Sequence, residues 1–272
     1  MSYDPAIALD FFRAAGKPAN LPKSTVIFAE QADASSFFRK ANPKIYFLLD
    51  GEVGLSAARK PIGAVRKGEI FGEMAALTHA PRSATATAST DCSVIALDAA
   101  EFERGLEGKP AFALMLMSML IARLRETIAR LTATGALGEG AGLHESAAFD
   151  AERLAELVSG LANDPPIYYQ QGRQILGEGS KAVLMYAVVK GRVAISIGGK
   201  VVERLGPGGA FGEAALVDQS PRMATAVAET DCELQPINRP AFLTLVKSSP
   251  QFAYGMLASL AERLRFLTER LK

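Results

Sequence analysis

Two stretches of this sequence are similar, FGEMAALTHAPRSATATA at residues 71–88 and FGEAALVDQSPRMATAVA at residues 211–228. Each contains a glycine, then a glutamate, then an arginine nine residues beyond the glutamate. Self-similarity at a fixed distance indicates the architecture of a chain before any local pattern does. The sequence therefore predicts one structural unit that is used twice.

The repeat extends well beyond these two stretches, at a constant offset of 140 residues. The matched pairs are Gly51 and Gly191, Gly68 and Gly208, Asp91 and Asp231, Phe102 and Phe242, Arg123 and Arg263, Arg125 and Arg265, and Leu131 and Leu271. Upstream, IFAEQADA resembles ILGEGSKA at an offset of 148, which predicts eight extra residues around SSFFRKAN in a loop of the first copy. The glycine-rich segment 134–146 predicts a linker, so we expect domains at residues 1–140 and 141–272.

Each copy begins with a pattern typical of short strands. YFLLDGEVGLS and YAVVKGRVAIS are apolar runs that a glycine turn separates from alternating sequence, and ATATA and CSVIALD follow. Asp4 as N-cap, Pro5 as first residue and Gly16 as stop predict a helix before the first set of strands. The expected fold class is α+β, with two tandem antiparallel β-roll (jelly-roll-like) domains, each flanked by an N-terminal helix and by C-terminal hinge and long helices.

The end of each copy is predicted to be helical. Asp98 with Glu101 forms a capping-box pattern, and Asn238 before Pro240 marks a similar start in the second copy. Long helices are expected from Pro110 and from Pro250. Their apolar residues follow the spacing of an a/d seam, namely Met117, Leu120, Leu124, Thr127 and Leu131 in one copy and Leu257, Leu260, Leu264, Leu267 and Leu271 in the other.

Composition excludes several classes of protein. With 30 Lys+Arg and 29 Asp+Glu the net charge is +1, which does not favour nucleic acid as a partner. The apolar run FALMLMSMLIA is too short to span a membrane, so we expect a buried helix and no membrane insertion. The N-terminus does not resemble a basic, apolar signal sequence, so we expect a cytoplasmic protein. Cys92 and Cys232 are expected to be small core residues without a disulfide. His79 and His144 lie apart in loop-like sequence and predict no metal site.

The repeated segment has the chemistry of an anion site. Gly72 allows a tight backbone path. The first backbone N–H groups of the short helix that follows make no hydrogen bond within that helix and can donate to a ligand. Arg82 adds a forked, permanently charged donor for phosphate oxygens. Glu73 would repel a phosphate but can accept a hydrogen bond from a sugar hydroxyl, so the segment predicts a nucleotide monophosphate whose ribose and phosphate lie close together.

The motif F-G-E followed by P-R-x-A-T resembles the phosphate-binding cassette of cyclic nucleotide-binding domains. Such domains occur in the catabolite activator protein, in regulatory subunits of cAMP-dependent protein kinase and in cyclic nucleotide-gated channels. The resemblance covers about residues 23–133 and 163–272. It implies that the glutamate accepts the ribose 2′-hydroxyl, that the arginine holds the cyclic phosphate and that helix amides assist. The implied ligand-binding residues are Gly72, Glu73, Met74, Ala75, Arg82 and Ser83 in one copy and Gly212, Glu213, Ala214, Ala215, Arg222 and Met223 in the other.

The resemblance leaves the choice of base open between cAMP and cGMP, and we favour cAMP. Ser83 could reach the phosphate or a guanine amino group, whereas Met223 could not, so the two sites are expected to differ. In this family a helix covers the base, and Thr127 is a candidate for that lid. A threonine tolerated within the a/d seam explains Thr127 equally well.

The predicted function is a cytoplasmic cyclic nucleotide sensor that signals to a partner protein by rearranging its helices. We expect no enzyme activity, no catalytic residue and no cofactor. The sequence shows no helix-turn-helix after the second long helix, so we expect no DNA-binding domain. An effector protein and a homodimer through the long helices are the predicted partners. The alternative is a nucleotide-free scaffold or dimerisation protein built on the same fold.

Overall fold

A computed structural model describes residues 3–31, 43–135, 137, 144–181 and 183–270 of the 272-residue chain. The chain forms two compact units, Tyr3–Ala113 and a second unit from Leu114 onward. The predicted insertion around SSFFRKAN and most of the predicted linker lie outside the described residues, so the domain boundary at residues 140 and 141 stays a prediction. In the part of the chain that is described, no helix is long and apolar enough to cross a membrane.

The first unit is a β-roll of two four-stranded antiparallel sheets, with strand orders β1-β8-β3-β6 and β2-β7-β4-β5. Its strands are β1 (Lys17–Leu21), β2 (Val26–Phe28), β3 (Lys44–Asp50), β4 (Glu52–Ala57), β5 (Lys60–Arg66), β6 (Ile70–Phe71), β7 (Thr85–Ala88) and β8 (Cys92–Asp98). Its helices are α1 (Pro5–Ala15), α2 (Glu73–Thr78) and α3 (Ala99–Gly105). A further helix, α4 (Pro110–Ala133), begins in this unit and belongs to the second unit from Leu114.

The second unit repeats this arrangement in two sheets, with strand orders β10-β17-β12-β15 and β11-β16-β13-β14-β9. Its strands are β9 (His144–Glu145), β10 (Ile167–Tyr169), β11 (Gln174–Leu176), β12 (Leu184–Lys190), β13 (Val193–Ile197), β14 (Lys200–Leu205), β15 (Ala210–Phe211), β16 (Thr225–Ala228) and β17 (Cys232–Asn238). Its other helices are α5 (Ala151–Gly160), α6 (Ala214–Val217), α7 (Arg239–Ser248) and α8 (Pro250–Glu269). The predicted α+β class with two tandem β-rolls is therefore confirmed.

The core of the first unit lies between its two sheets, because alternate side chains of each strand point inward. One cluster joins Leu48 and Val94 of one sheet to Val53 and Ala86 of the other, all without solvent exposure. Cys92 belongs to the same cluster, and both Cys92 and Cys232 are buried free thiols. Their prediction as core residues without a disulfide is confirmed.

Most helix starts lie where the sequence predicted them. Asp4 caps α1 by accepting a hydrogen bond from the Ala6 amide, and Asp98 and Glu101 form a complete capping box at α3. The side chain of Asn238 accepts a hydrogen bond from the Ala241 amide at the start of α7. The seam residues of α4 and α8 that the structure describes are all buried within the single chain.

The structure corrects one detail and locates the arginine of the first cassette. His144 was expected in a loop, but it belongs to β9, which pairs in parallel with β14 and so departs from the antiparallel pattern. Arg82 does not lie in a strand, since β7 begins three residues later at Thr85. Arg82 therefore lies in the connection between α2 and β7, where a side chain need not alternate between sheet faces.

Candidate functional site

The first cassette is a tight turn between a strand and a helix. Strand β6 ends at Phe71, Gly72 takes a left-handed backbone conformation with φ of +80°, and Glu73 opens helix α2. The Arg82 guanidinium lies against this turn, and its Nη1 donates a hydrogen bond of 2.7 Å to the Gly72 carbonyl. Its Nη2 donates to the Lys44 carbonyl at 2.9 Å. The backbone of the turn and of strand β3 therefore fixes the arginine beside the start of the helix.

The second cassette reproduces this geometry. Gly212 has φ of +85° and separates β15 from α6, and Arg222 Nη1 donates to its carbonyl at 2.6 Å. Nη2 donates to the carbonyl of Leu184, the repeat counterpart of Lys44. The cassettes differ behind the arginine. The Arg82 guanidinium carbon lies 4.2 Å from the centre of the Phe28 ring, where the second copy has Leu176.

Burial and charge act on both arginines in opposite directions. Both are buried, and desolvation lowers the pKa of Arg82 and of Arg222 because it disfavours the charged form. Glu73 raises the pKa of Arg82 and Glu213 raises the pKa of Arg222 by their negative charge. Glu73 and Glu213 are buried too, so each cassette holds a buried carboxylate whose charge acts on a buried guanidinium.

Arg222 retains an unused donor. Its Nε is buried and has no hydrogen-bond partner within the described part of the chain. A buried polar group without a partner costs roughly 1–3 kcal/mol, so its presence requires an explanation. An acceptor that arrives with a ligand, such as a phosphate oxygen, would satisfy this donor.

A cavity opens at the second cassette. Its polar part includes Arg222 and Glu213, together with Glu203, Thr225 and Arg263, and the rest of its wall is largely apolar. The lining residues include Leu176, Ile195, Ile197, Val202, Phe211, Gly212, Ala214, Ala215, Met223, Phe266 and Leu267. All six site residues that the sequence predicted for the second copy therefore line one cavity. A few polar groups at one end of an apolar pocket are typical of small-molecule sites.

Arg263 is a residue of this site to which the sequence analysis assigned no role. It lies on α8 and donates from Nη1 to Glu213 Oε1 at 2.8 Å and from Nε to both Glu203 oxygens at 3.0 Å. Burial alone would lower the pKa of Arg263, but the two carboxylates outweigh it and raise that pKa. The signal was present in the sequence, because Arg123 and Arg263 match at the repeat offset.

The remaining predicted residues have varied surroundings. Ala75 is buried on α2, Met74 is half-buried, and Ser83 is exposed directly after Arg82. Thr127 is buried in α4, and its role as a lid stays a prediction. Leu267, its repeat counterpart, lines the second cavity. No group of His, Cys, Asp or Glu residues that could hold a metal ion occurs among the described residues.

The sequence of this chain is similar to those of known proteins. A model of the family "Cyclic nucleotide-binding domain" matches residues 19–109 and 166–249. A cAMP-dependent protein kinase regulatory subunit of Eremothecium gossypii is 28% identical over 79% of this chain and 41% of its own length. The cyclic AMP receptor protein of Thermus thermophilus is 38% identical over 36% of this chain and 47% of its own length.

A solved structure of the catabolite activator protein of Thermus thermophilus is 31% identical, covers 50% of this chain and 61% of its own, and has a TM-score of 0.39. The chain spans about half of the length of the curated relatives named above. The family model matches one segment in each copy of the repeat and together more than half of the residues. The chain belongs to the cyclic nucleotide-binding domain family and carries two tandem domains of it.

Proposed function

We propose that this protein is a cyclic nucleotide sensor that binds one nucleotide in each cassette and itself catalyses no reaction. The observation that carries the proposal is the Arg222 guanidinium. Two backbone carbonyls hold its Nη atoms, its buried Nε has no partner among the described residues, and it lines a cavity that also contains Glu213. This arrangement can donate a charge-assisted hydrogen bond to an anionic oxygen of a ligand.

Each part of the cavity has a counterpart in a cyclic nucleotide. Arg222 and the first amides of α6 would bind the cyclic phosphate, and the apolar wall would contact the base. Glu213 would accept the ribose 2′-hydroxyl. Arg263 already donates to Oε1 of Glu213, which fixes the carboxylate in place and offsets its burial among apolar groups.

We propose cAMP as the ligand of both sites. Regulatory subunits of cAMP-dependent protein kinase and a cyclic AMP receptor protein are among the relatives, and a cGMP-dependent protein kinase of Toxoplasma gondii is a further one, at 26% identity over 82% of this chain and 19% of its own length. The side chain of Met223 has no group that could donate a hydrogen bond to a base edge, and its thioether is only a weak acceptor. Ser83 has such a hydroxyl, so cGMP would be tolerated better at the first site than at the second.

The sensor would act on a partner protein in the cytoplasm, as relatives named regulatory subunits suggest. Ligand binding can shift a helix only if the two helix positions differ in affinity for the ligand. A homodimer through the long helices would have to use their exposed faces, because the described seam residues are buried within one chain.

Calorimetric titration with cAMP and with cGMP tests the proposal. The unchanged protein should bind two molecules of cAMP, and Arg82→Ala and Arg222→Ala should each retain one tight site. A charge-assisted hydrogen bond contributes roughly 1.5–3 kcal/mol, so each altered site should weaken about ten-fold or more. The double variant should show neither tight site.

Arg153→Ala is the matched control, because Arg153 pairs with Asp150 on the surface of the second unit and is distant in sequence from either cassette. It should bind like the unchanged protein. Two tight sites in the double variant would refute the proposed role of the arginines. No heat with either nucleotide at millimolar concentration would favour the alternative, a nucleotide-free scaffold.

A further inference from the structure

Helix α4 contributes to the wall of the second cavity. Leu124 and Ile128, one turn apart on α4, line the same cavity as Glu213 and Arg222. Leu124 is buried and Ile128 is half-buried. The helix that follows the first cassette in the sequence therefore covers the site that the second cassette forms, together with Phe266 and Leu267 of α8.

An ion pair fastens α4 to the second cassette. Arg125 donates from Nε to Asp218 Oδ2 at 2.8 Å and from Nη2 to Oδ1 at 3.2 Å. Nη2 also donates to the Pro221 carbonyl at 3.2 Å. The side chains are 29% and 17% exposed, so solvent screens this pair less than a fully exposed one. We call these contacts of Arg125 the α4 latch.

The latch acts on the segment that positions the phosphate-binding arginine. Asp218 follows the last residue of α6, and its Oδ1 also accepts a hydrogen bond from the Ser220 amide at 3.0 Å. Pro221 directly precedes Arg222. One guanidinium therefore holds both ends of the connection between the short helix and Arg222, because it contacts residue 218 and residue 221 together.

The latch residues are not repeated in the first copy. At the repeat offset, Asp218 corresponds to Thr78, whose hydroxyl donates to the Met74 carbonyl within α2. Arg125 corresponds to Arg265, whose Nε donates to Glu269 one turn along α8. A carboxylate at this position of the cassette occurs in the second copy alone, so the chemistry of the latch is specific to the second site.

We infer that Arg125 is a positioning residue for the second site, and that a nucleotide bound there leaves only after the α4 latch opens. The inference rests on the proposed function. Arg125 and the cavity-lining residues Leu124 and Ile128 belong to one helix. Opening the latch would therefore uncover the base and loosen the segment before Arg222 in the same step. Binding and release at the second site would then affect the position of α4 and not that of α8 alone.

Dissociation of a fluorescent cAMP analogue from the full-length chain tests this inference. In an Arg82→Ala background, which leaves the second site to bind, Arg125→Gln and Asp218→Asn should each release the analogue about ten-fold faster, because each removes charge-assisted hydrogen bonds. The double variant should be no faster than either single one, since both remove the same interaction. Raising the salt concentration should accelerate release from the parent and leave the variants nearly unchanged.

Two comparisons separate positioning from general destabilisation. In an Arg222→Ala background, where the analogue occupies the first site, Arg125→Gln should leave its release unchanged. Arg130→Ala is the control on the same helix, because Arg130 pairs with Glu126 on the surface of α4, and it should leave release from the second site unchanged. Equal acceleration at both sites, or no acceleration at the second, would overturn the inference.

Hydrogen exchange of the nucleotide-free chain gives an outcome that does not depend on ligand binding. Arg125→Gln should reduce the protection of α4 amides at residues 120–131, and Arg130→Ala should not. A parent chain that binds no analogue would refute the proposed function and the release step with it. Unchanged protection in Arg125→Gln would show that the latch does not hold α4.

Discussion

Gly212 illustrates how closely the cassette backbone approaches the arginine. Its φ is +85°, and a Cβ atom there would lie 2.6 Å from Arg222 Nη1. The left-handed conformation alone costs a non-glycine residue about 1–2 kcal/mol. Gly212→Ala should therefore lower the free energy of unfolding of the second unit by at least about 1–2 kcal/mol. It should also weaken cAMP binding at the second site, because Arg222 must move. Urea denaturation and calorimetry measure the two effects.

Gly199→Ala is the control for this substitution. Gly199 has a similar φ of +80°, but nothing lies within 4 Å of the position of its Cβ. The Gly199→Ala variant should lose a similar amount of its free energy of unfolding as Gly212→Ala does, and it should keep its affinity for cAMP. Equal loss of affinity in both variants would show that backbone strain, and not contact with Arg222, explains the effect.

Arg263 carries a second prediction at the same scale. Arg263→Met would leave Glu203 and Glu213 buried without their cation, and breaking a buried pair in this way costs about 3–5 kcal/mol. Denaturation with urea should show this loss in the second unit. Adding Glu203→Gln and Glu213→Gln should restore part of it, since no buried charge then lacks a partner.

The surface pair of Arg130 and Glu126 provides the comparison. Both side chains are more than 60% exposed, so Arg130→Ala should change stability by less than about 1 kcal/mol. If Arg263→Met lowered the free energy of unfolding as little as Arg130→Ala does, water would have to reach Glu203 and Glu213 and replace their partner.

At the scale of single elements, the helix caps support a prediction about the hinge region. At α3, Asp98 accepts from the Glu101 amide at 2.7 Å and Glu101 accepts from the Asp98 amide at 2.9 Å. At α7, Asn238 accepts from the Ala241 amide at 2.9 Å. Replacing either cap by alanine should cost about 1 kcal/mol, with the larger loss at Asp98 because its box joins two donors. Thermal denaturation measures the loss, and Asp98→Ser should recover most of it.

These elements also show what a sequence can and cannot reveal. The caps at Asp98 and Asn238 were predictable because a cap depends on residues within one helical turn. The cassette turns were predictable because glycine before a short helix recurs with the same arginine. Strand β9 was not, since its two residues have no alternating pattern and are ordered by pairing with β14, almost 60 residues later. The contacts of Arg263 and of the α4 latch escaped prediction for the same reason, because the partners are distant in the sequence, although the repeat marked Arg263 itself.

For the whole molecule, duplication places one complete cassette in each compact unit. Arg82 and the Gly72 turn belong to the first unit, and Arg222 and the Gly212 turn to the second. A ligand that binds only the folded unit stabilises that unit, by about 2.7 kcal/mol at a hundred times its dissociation constant. Stabilisation by cAMP should therefore be separable between the units.

Hydrogen exchange with and without saturating cAMP tests that separation. In the unchanged protein, cAMP should slow exchange in the paired strands β3 and β8 of the first unit and β12 and β17 of the second. Arg82→Ala should reduce the effect in β3 and β8 alone, and Arg222→Ala in β12 and β17 alone, since each variant removes one phosphate contact and so weakens one site. Loss of protection in both pairs from one substitution would show that the units respond together, and that occupancy of one site decides the stability of the other.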